Sequence, residues 1–280
     1  MPKSPLARLV PHLGRLGRAT RWRRTKGRPR VWAHRGDSAH APENTMLAFD
    51  KARAAGADGI ELDVRFDGDH NVVVFHDSPL ERLTGRPGTM EQLPAAERAK
   101  LRVGGEPVPL LAEVLAGFDL EIDVEIKALK VGRMSALVEA TANVIRDSGR
   151  ADQIVVSSFD PFTLLQLHVK LPDLALAYLF HDEQPLPLRR GWVGKWIGAS
   201  LFHPQHTLCS EAQVRTWQRA GLPLNVWTVD DASELRRLAS LGVDGVFAND
   251  PAHAIAVLDG AVSGSERPAI PPAQRPEDRS

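Results

Sequence analysis

Among its 280 residues the chain has one cysteine, Cys209. Without a second thiol there can be no intrachain disulfide and no cysteine-bound metal cluster, which fits a reducing compartment. Long hydrophobic runs are also missing, and nothing approaches the ~18 consecutive apolar residues of a membrane-spanning helix. Net charge is absent as well, because 35 Lys and Arg offset 35 Asp and Glu. What is present, 43% hydrophobic and 25% charged residues, is ordinary globular composition and excludes collagen-like, coiled-coil and wholly disordered chains.

The balanced total conceals an uneven distribution. Residues 1–30 carry ten basic side chains and no acidic one, which leaves 25 basic against 35 acidic over 31–280. An acidic body repels a polyanion, so nucleic acid is not an expected partner. Residues 1–29 read as a basic, flexible leader. Leu6, Leu9, Val10, Leu13 and Leu16 recur there at helical spacing among Lys3, Arg8 and Arg15, with Trp22 and a basic cluster behind them, as in a helix lying on anionic lipid. Pro11, Gly14 and Gly17 interrupt that helix, and with the arginines they deny the leader the apolar core of a secretory signal. A solvated arm and a weak membrane-surface contact both stay open; the expected location is the cytoplasm, with peripheral attachment as the variant. Residues 261–280, rich in Pro, Ser and charge, read as a disordered tail.

Residues 30–260 alternate short β-branched runs with helical patterns, the signature of a parallel sheet. Eight strands are expected, at 30–36, 59–66, 120–127, 153–159, 174–180, 199–204, 222–230 and 244–250. Helical patterns follow most of them, starting at capping residues such as Ser158 or Asp160, Ser210 and Asp231 and stopping at Gly56, Gly149, Gly221 and Gly242. The fold class is therefore α/β, a (β/α)₈ TIM barrel. Residues 71–77 follow the second strand too closely for a crossover helix, so they form an antiparallel partner or a continuation.

Two strands carry charge where a barrel interior should be apolar. In GIELDVRF, Ile60, Leu62 and Val64 share one face and Glu61, Asp63 and Arg65 the other; LEIDVEIK repeats this with Asp123, Glu125 and Lys127. Burying unpaired carboxylates costs several kcal/mol. A hard divalent cation, Mg²⁺ or Ca²⁺, relieves that repulsion, and a salt-bridge network with Arg35 and Lys127 is the competing explanation. His34, Arg35 and His76 also fall at strand ends, where barrels build active sites. Two imidazoles beside metal, Arg and Lys suit acid–base catalysis on a phosphoryl group.

Taken in order, AHRG (33–36), PENT (42–45), ELDV (61–64), VVFHD (73–77), VEIK (124–127), NVWTVD (225–230) and DGVFANDP (244–251) resemble the glycerophosphodiester phosphodiesterase family, a phospholipase-C-like phosphodiesterase barrel. The resemblance implies a (β/α)₈ barrel with a short insertion after the second strand, at 77–108. It implies that Glu61, Asp63 and Glu125 hold one divalent metal, that His34 and His76 are the acid–base pair, and that Arg35, Asn44, Lys127 and Trp227 contact phosphate or substrate. The implied reaction is hydrolysis of glycerophosphodiesters to sn-glycerol 3-phosphate and an alcohol. A lysophospholipase D using the same site, favoured if Trp192, Trp196 and Phe202 line an apolar groove, and a non-catalytic phosphodiester-binding barrel are the alternatives. His203 and His206 fall where substrate contacts lie in that family, Asp250 departs from its pattern, and the remaining histidines are given no role.

Overall fold

The computed structural model describes residues 22–23, 27–127, 134–194 and 196–261. Eight parallel strands form the expected ring: β1 (Arg30–Ala33), β2 (Gly59–Phe66), β6 (Glu121–Ile126), β7 (Ile154–Ser158), β8 (Ala175–Phe180), β9 (Leu201–Pro204), β10 (Asn225–Val226) and β11 (Gly245–Ala248), with β11 pairing back to β1. Between β9 and β10 the ring is joined by two single parallel bridges, Phe202 to Leu224 and Gln205 to Trp227. The expected strand at 222–230 is thus mostly irregular backbone, with Pro223 unable to donate to a ladder.

Helices cover the ring between strands. Met46–Ala54 is capped by Thr45, Pro161–Lys170 by Asp160, Glu211–Arg219 by Ser210, Ala232–Leu241 by Asp231 and Pro251–Leu258 by Asp250. Their apolar faces meet the outward side of the strands, so Ile60, Leu62, Val64, Ile122, Val124 and Ile126 join one continuous core. After β8 the sequence lacks helical periodicity, and only the single turn Leu186–Arg189 forms. No helix among the described residues is long and apolar enough to cross a membrane.

β3 (Val72–Val74) runs antiparallel to β2, pairing Val64 with Val74 and Phe66 with Val72. The expected insertion follows: two short helices, Glu81–Thr84 and Ala95–Arg98, and a small hairpin of β4 (Arg102–Val103) and β5 (Glu106–Pro107). Phe75, Leu80, Met90, Leu93, Leu101 and Val103 give this insertion a small core of its own, which holds the end of β3 beside the barrel mouth.

Inside the barrel, the amino-terminal end is apolar. Trp32 lies there with Val155, Ala175, Ala177 and Leu201, and the cluster extends through Phe247 to the carboxyl-end cavity. Two glycines make room for its indole: a Cβ on Gly59 would stand 2.5 Å from the Trp32 ring, and one on Gly245 would stand 3.1 Å from Trp32 Nε1. Trp22 belongs to the same cluster, 2% exposed with its ring centroid 5.9 Å from that of Trp32. This residue, read as part of a leader that is either a solvated arm or a weak membrane-surface contact, packs on Trp32 instead. The leader up to Arg21, with the helical spacing at 6–16, and the tail beyond Ala261 lie outside the described residues.

Candidate active site

Adjacent strands bring the inward carboxylates together. The register of β2 on β6 sets Glu61 opposite Asp123 and Asp63 opposite Glu125. One oxygen from each of Glu61, Asp63 and Glu125 lies within 4.8 Å of the other two, and all three residues are buried. Burial and the Asp63 and Glu125 charges push the Glu61 carboxyl well above the usual range. Burial would raise Asp63 too, but Lys127, His76 and Arg35 hold it well below. A cluster of oxygen donors with unrelieved repulsion at Glu61 fits a hard divalent cation.

The anticipated salt-bridge network exists alongside this cluster. Lys127 Nζ lies 2.9 Å from Asp63 Oδ1 and 2.7 Å from Glu125 Oε1, while Arg35 Nε lies 3.3 Å from Asp63 Oδ2. These pairs neutralise Asp63 and Glu125 and leave Glu61 with the Arg35 backbone N–H, at 2.8 Å, as its hydrogen bond. That N–H is aimed by a tight turn in which Arg35 and Gly36 both take positive φ, 58° and 82°. Gly36 is required there, since a Cβ would stand 2.7 Å from the Ala48 backbone.

Asn44, also at positive φ, clamps Asp63. Its Nδ2 donates to Asp63 Oδ2 at 2.8 Å and its Oδ1 accepts from the Asp63 backbone N–H at 3.2 Å. It is 2% exposed and orients a carboxylate, away from the cavity surface.

His34 and His76 both line a cavity of about 940 Å³ at the carboxyl ends of the strands, together with Arg35, Glu61, Glu125 and Lys127. Their Nδ1 atoms meet different partners. His34 Nδ1 lies 2.8 Å from Asn249 Oδ1, whereas His76 Nδ1 lies 2.5 Å from the Asp77 carboxylate. Burial and the neighbouring Arg35 lower His34 to about 4. Asp77 is bound in turn by Arg82 of the insertion, whose guanidinium also makes two 2.8 Å bonds to Glu43. Glu43 completes the chain, its Oε1 accepting from Arg35 Nη1 at 3.1 Å.

Trp227 and Phe159 form an apolar wall of the cavity, edge to face with centroids 5.5 Å apart. His203 lies beneath the floor, 1% exposed, with Nδ1 3.2 Å from Asp123 Oδ2. His206 borders a separate hollow beside Glu234. Phe202 is core, Trp192 and Trp196 face outward, and none of the three lines the cavity. Asp250 accepts from the His253 backbone N–H as a helix cap. Sequence reasoning gave no role to Glu43, Arg82, Asp230 or Asn249; three of them stand inside the motifs PENT, NVWTVD and DGVFANDP, which was the available signal.

Residues 34–253 match the glycerophosphoryl diester phosphodiesterase family. The chain belongs to that family. A glycerophosphodiester phosphodiesterase of Caldanaerobacter subterraneus is 31% identical over 237 residues, covering 79% of this chain and 94% of the relative. Among solved structures, an Oleispira antarctica phosphodiesterase in complex with the product sn-glycerol-3-phosphate superimposes with a TM-score of 0.76 at 27% identity, covering 83% of this chain and 97% of that one. The Thermotoga maritima glycerophosphodiester phosphodiesterase gives 0.68 at 29% identity, covering 83% and 100%. Family membership makes the protein a phosphodiester hydrolase on a TIM barrel, as the motifs implied.

Proposed function

We propose that the protein hydrolyses glycerophosphodiesters to sn-glycerol 3-phosphate and an alcohol, with one divalent cation, Mg²⁺ or Ca²⁺, held by Glu61, Asp63 and Glu125. The observation that carries this reading is the convergence of Glu61, Glu125, two histidines, Arg35 and Lys127 on one cavity, with the buried Asp63 carboxylate within 4.8 Å of the Glu61 and Glu125 oxygens. The Oleispira relative, which binds sn-glycerol-3-phosphate, supports the product.

A bound cation supplies charge neutralisation at the phosphate. The chain's own residues do the rest. Arg35 and Lys127 offer fixed positive charge to the phosphate oxygens and to the charge that builds during displacement. His34 and His76 move the protons: one takes a proton from the attacking water as its oxygen bonds to phosphorus, the other gives one to the departing alkoxide as its P–O bond breaks. Trp227 and Phe159 offer an apolar surface to the carbon skeleton and help exclude water. The preference for a small diester over a lysolipid is supported by Trp192, Trp196 and Phe202 lying apart from the cavity, so that no acyl-chain groove forms from them.

The test is release of glycerol 3-phosphate from glycerophosphocholine by the purified protein in EDTA, Mg²⁺ or Ca²⁺, with lysophosphatidylcholine in parallel. EDTA-sensitive turnover of the small diester is expected. Turnover of the lysolipid alone would replace this reading with a lysophospholipase D, and none with either metal would leave a binding barrel.

A further inference from the structure

Behind His34, on the side of its Nδ1, stand two residues the proposed reaction does not yet use. An imidazole nitrogen can donate or accept, so the 2.8 Å approach of His34 Nδ1 to Asn249 Oδ1 leaves the tautomer open until the amide is oriented. Asp230 orients it. Asn249 Nδ2 lies 2.6 Å from Asp230 Oδ2, and the Asn249 backbone N–H donates to Asp230 Oδ1 at 2.7 Å. A carboxylate only accepts, so the Nδ2 edge of the amide must face Asp230 and the Oδ1 edge must face His34. Ser38 Oγ holds the same corner, donating to the His34 carbonyl at 2.9 Å and lying 3.1 Å from Asn249 Oδ1. An amide oxygen likewise only accepts. The proton of neutral His34 is therefore on Nδ1, and Nε2 carries the lone pair.

We propose that Asn249, oriented by Asp230, is the positioning residue that locks His34 into the Nδ1–H tautomer and makes it the base of the reaction, leaving His76 as the acid. The base assignment rests on the hydrolysis proposed above; the tautomer does not. In the forward step His34 Nε2 accepts a proton from the attacking water as the new P–O bond forms. His76 then releases a proton to the departing alkoxide, and the two rings regain their starting states by exchange with solvent. The partners differ between the two rings: a neutral amide stands on His34 Nδ1, whereas a carboxylate, Asp77, stands on His76 Nδ1. Arg35 and Asp63 act on His34 in opposite senses, so the amide is the part that sets the tautomer.

Long-range ¹H–¹⁵N spectra of the full chain, labelled at histidine and assigned with His34→Gln, test this without substrate. Wild-type His34 should show a pyrrole-type Nδ1 and a pyridine-type Nε2 near neutral pH. Asn249→Leu should shift His34 toward the Nε2–H form and lower kcat roughly 10²-fold or more with little change in KM. The paired exchange Asp230→Asn with Asn249→Asp puts a carboxylate on Nδ1 and an amide behind it, and should restore both the Nδ1–H signature and most of kcat. An Nε2–H signature in the wild type, or an Asn249→Leu enzyme with undiminished kcat or an unaltered signature, would overturn the proposal. Absence of wild-type turnover with either metal would instead overturn the hydrolysis reading and the base assignment with it, while the nitrogen shifts still report the tautomer.

Discussion

The two ends of the barrel interior are built from the same eight strands and follow opposite rules. At the amino-terminal end Trp22, Trp32, Val155 and Leu201 fill the space, with Gly59 and Gly245 cut back to admit an indole. At the carboxyl end the same inward positions of β2 and β6 hold Glu61, Asp63 and Glu125. The first end lowers the free energy of the fold by burying apolar surface. The second spends some of that stability on like charges held close together, partly repaired by Lys127, Arg35 and Asn44. Stability and chemistry are thus separated along the barrel axis, and variants at each end should report on one and spare the other.

The sharpest test of that separation is Glu125→Gln. Losing even an outer partner of a metal ligand costs roughly 10–100-fold, so loss of a ligand should reduce metal-dependent turnover by more than roughly 10²-fold. Because the change removes one of three crowded carboxylates, the melting temperature in EDTA should hold or rise. A near-normal rate would remove Glu125 from the ligand set. His34→Ala and His76→Ala should each cost roughly 10²–10⁴ in rate, and a loss below tenfold would reassign that histidine to structure.

The reverse experiment is Trp22→Ala. Truncating a buried Trp typically costs about 3–5 kcal/mol, or roughly 10 °C in melting temperature for a domain of this size. Turnover at 25 °C should stay within about twofold of wild type, since Trp22 packs on Trp32 and does not line the cavity. A large kcat loss at unchanged stability would show that the two ends are coupled.

A third experiment uses pH to follow His34 through the stability of the whole chain. His34 is lowered to about 4 in the folded protein from 6.5 when exposed. The unfolded chain binds the proton more readily, so the contribution is fully favourable above pH 6.5, declines as pH falls toward 4 and then levels off. At most about 3 kcal/mol is involved. Comparing urea midpoints of wild type and His34→Gln between pH 7 and 4 should show a shallower decline in the variant; parallel curves would mean that His34 protonates as easily in the fold as out of it.

Much of this division was legible in the sequence because strand alternation is a strong signal. GIELDVRF and LEIDVEIK can bury their aliphatic face against helices in one way only, and that fixes where Glu61, Asp63 and Glu125 point. The apolar end was less legible: Trp22 sits in a basic stretch whose composition suggests a surface, and nothing local says that it packs on Trp32. Asn249 and Asp230 were hidden for a different reason. They are ordinary polar residues at strand ends, and only the spatial meeting of β11, the residues after β10 and the turn after β1 shows that an amide stands between a carboxylate and an imidazole. The segment after β8 has no period to read, and its backbone is correspondingly irregular.

The smallest expected effect lies in the insertion, which joins neither end of the barrel yet reaches the charged one. Arg82 binds Asp77, the partner of His76, and Glu43, the partner of Arg35, so one guanidinium braces both sides of the cavity. Burial alone would raise Asp77, and the His76 and Arg82 hydrogen bonds instead hold it well below the usual carboxylate range. Arg82→Met leaves Glu43 and Asp77 without that cation and should lower kcat about tenfold, in the range of other outer partners, with a smaller rise in KM. Arg82→Lys keeps the charge but cannot make the two-pronged bond to Glu43, so it should recover part of the loss. Steady-state kinetics at saturating metal separate these outcomes. If Arg82→Met matches wild type, the insertion serves only to cover the barrel, and the chemistry at this end is held by β1, β2, β3 and β6 without help from outside the ring.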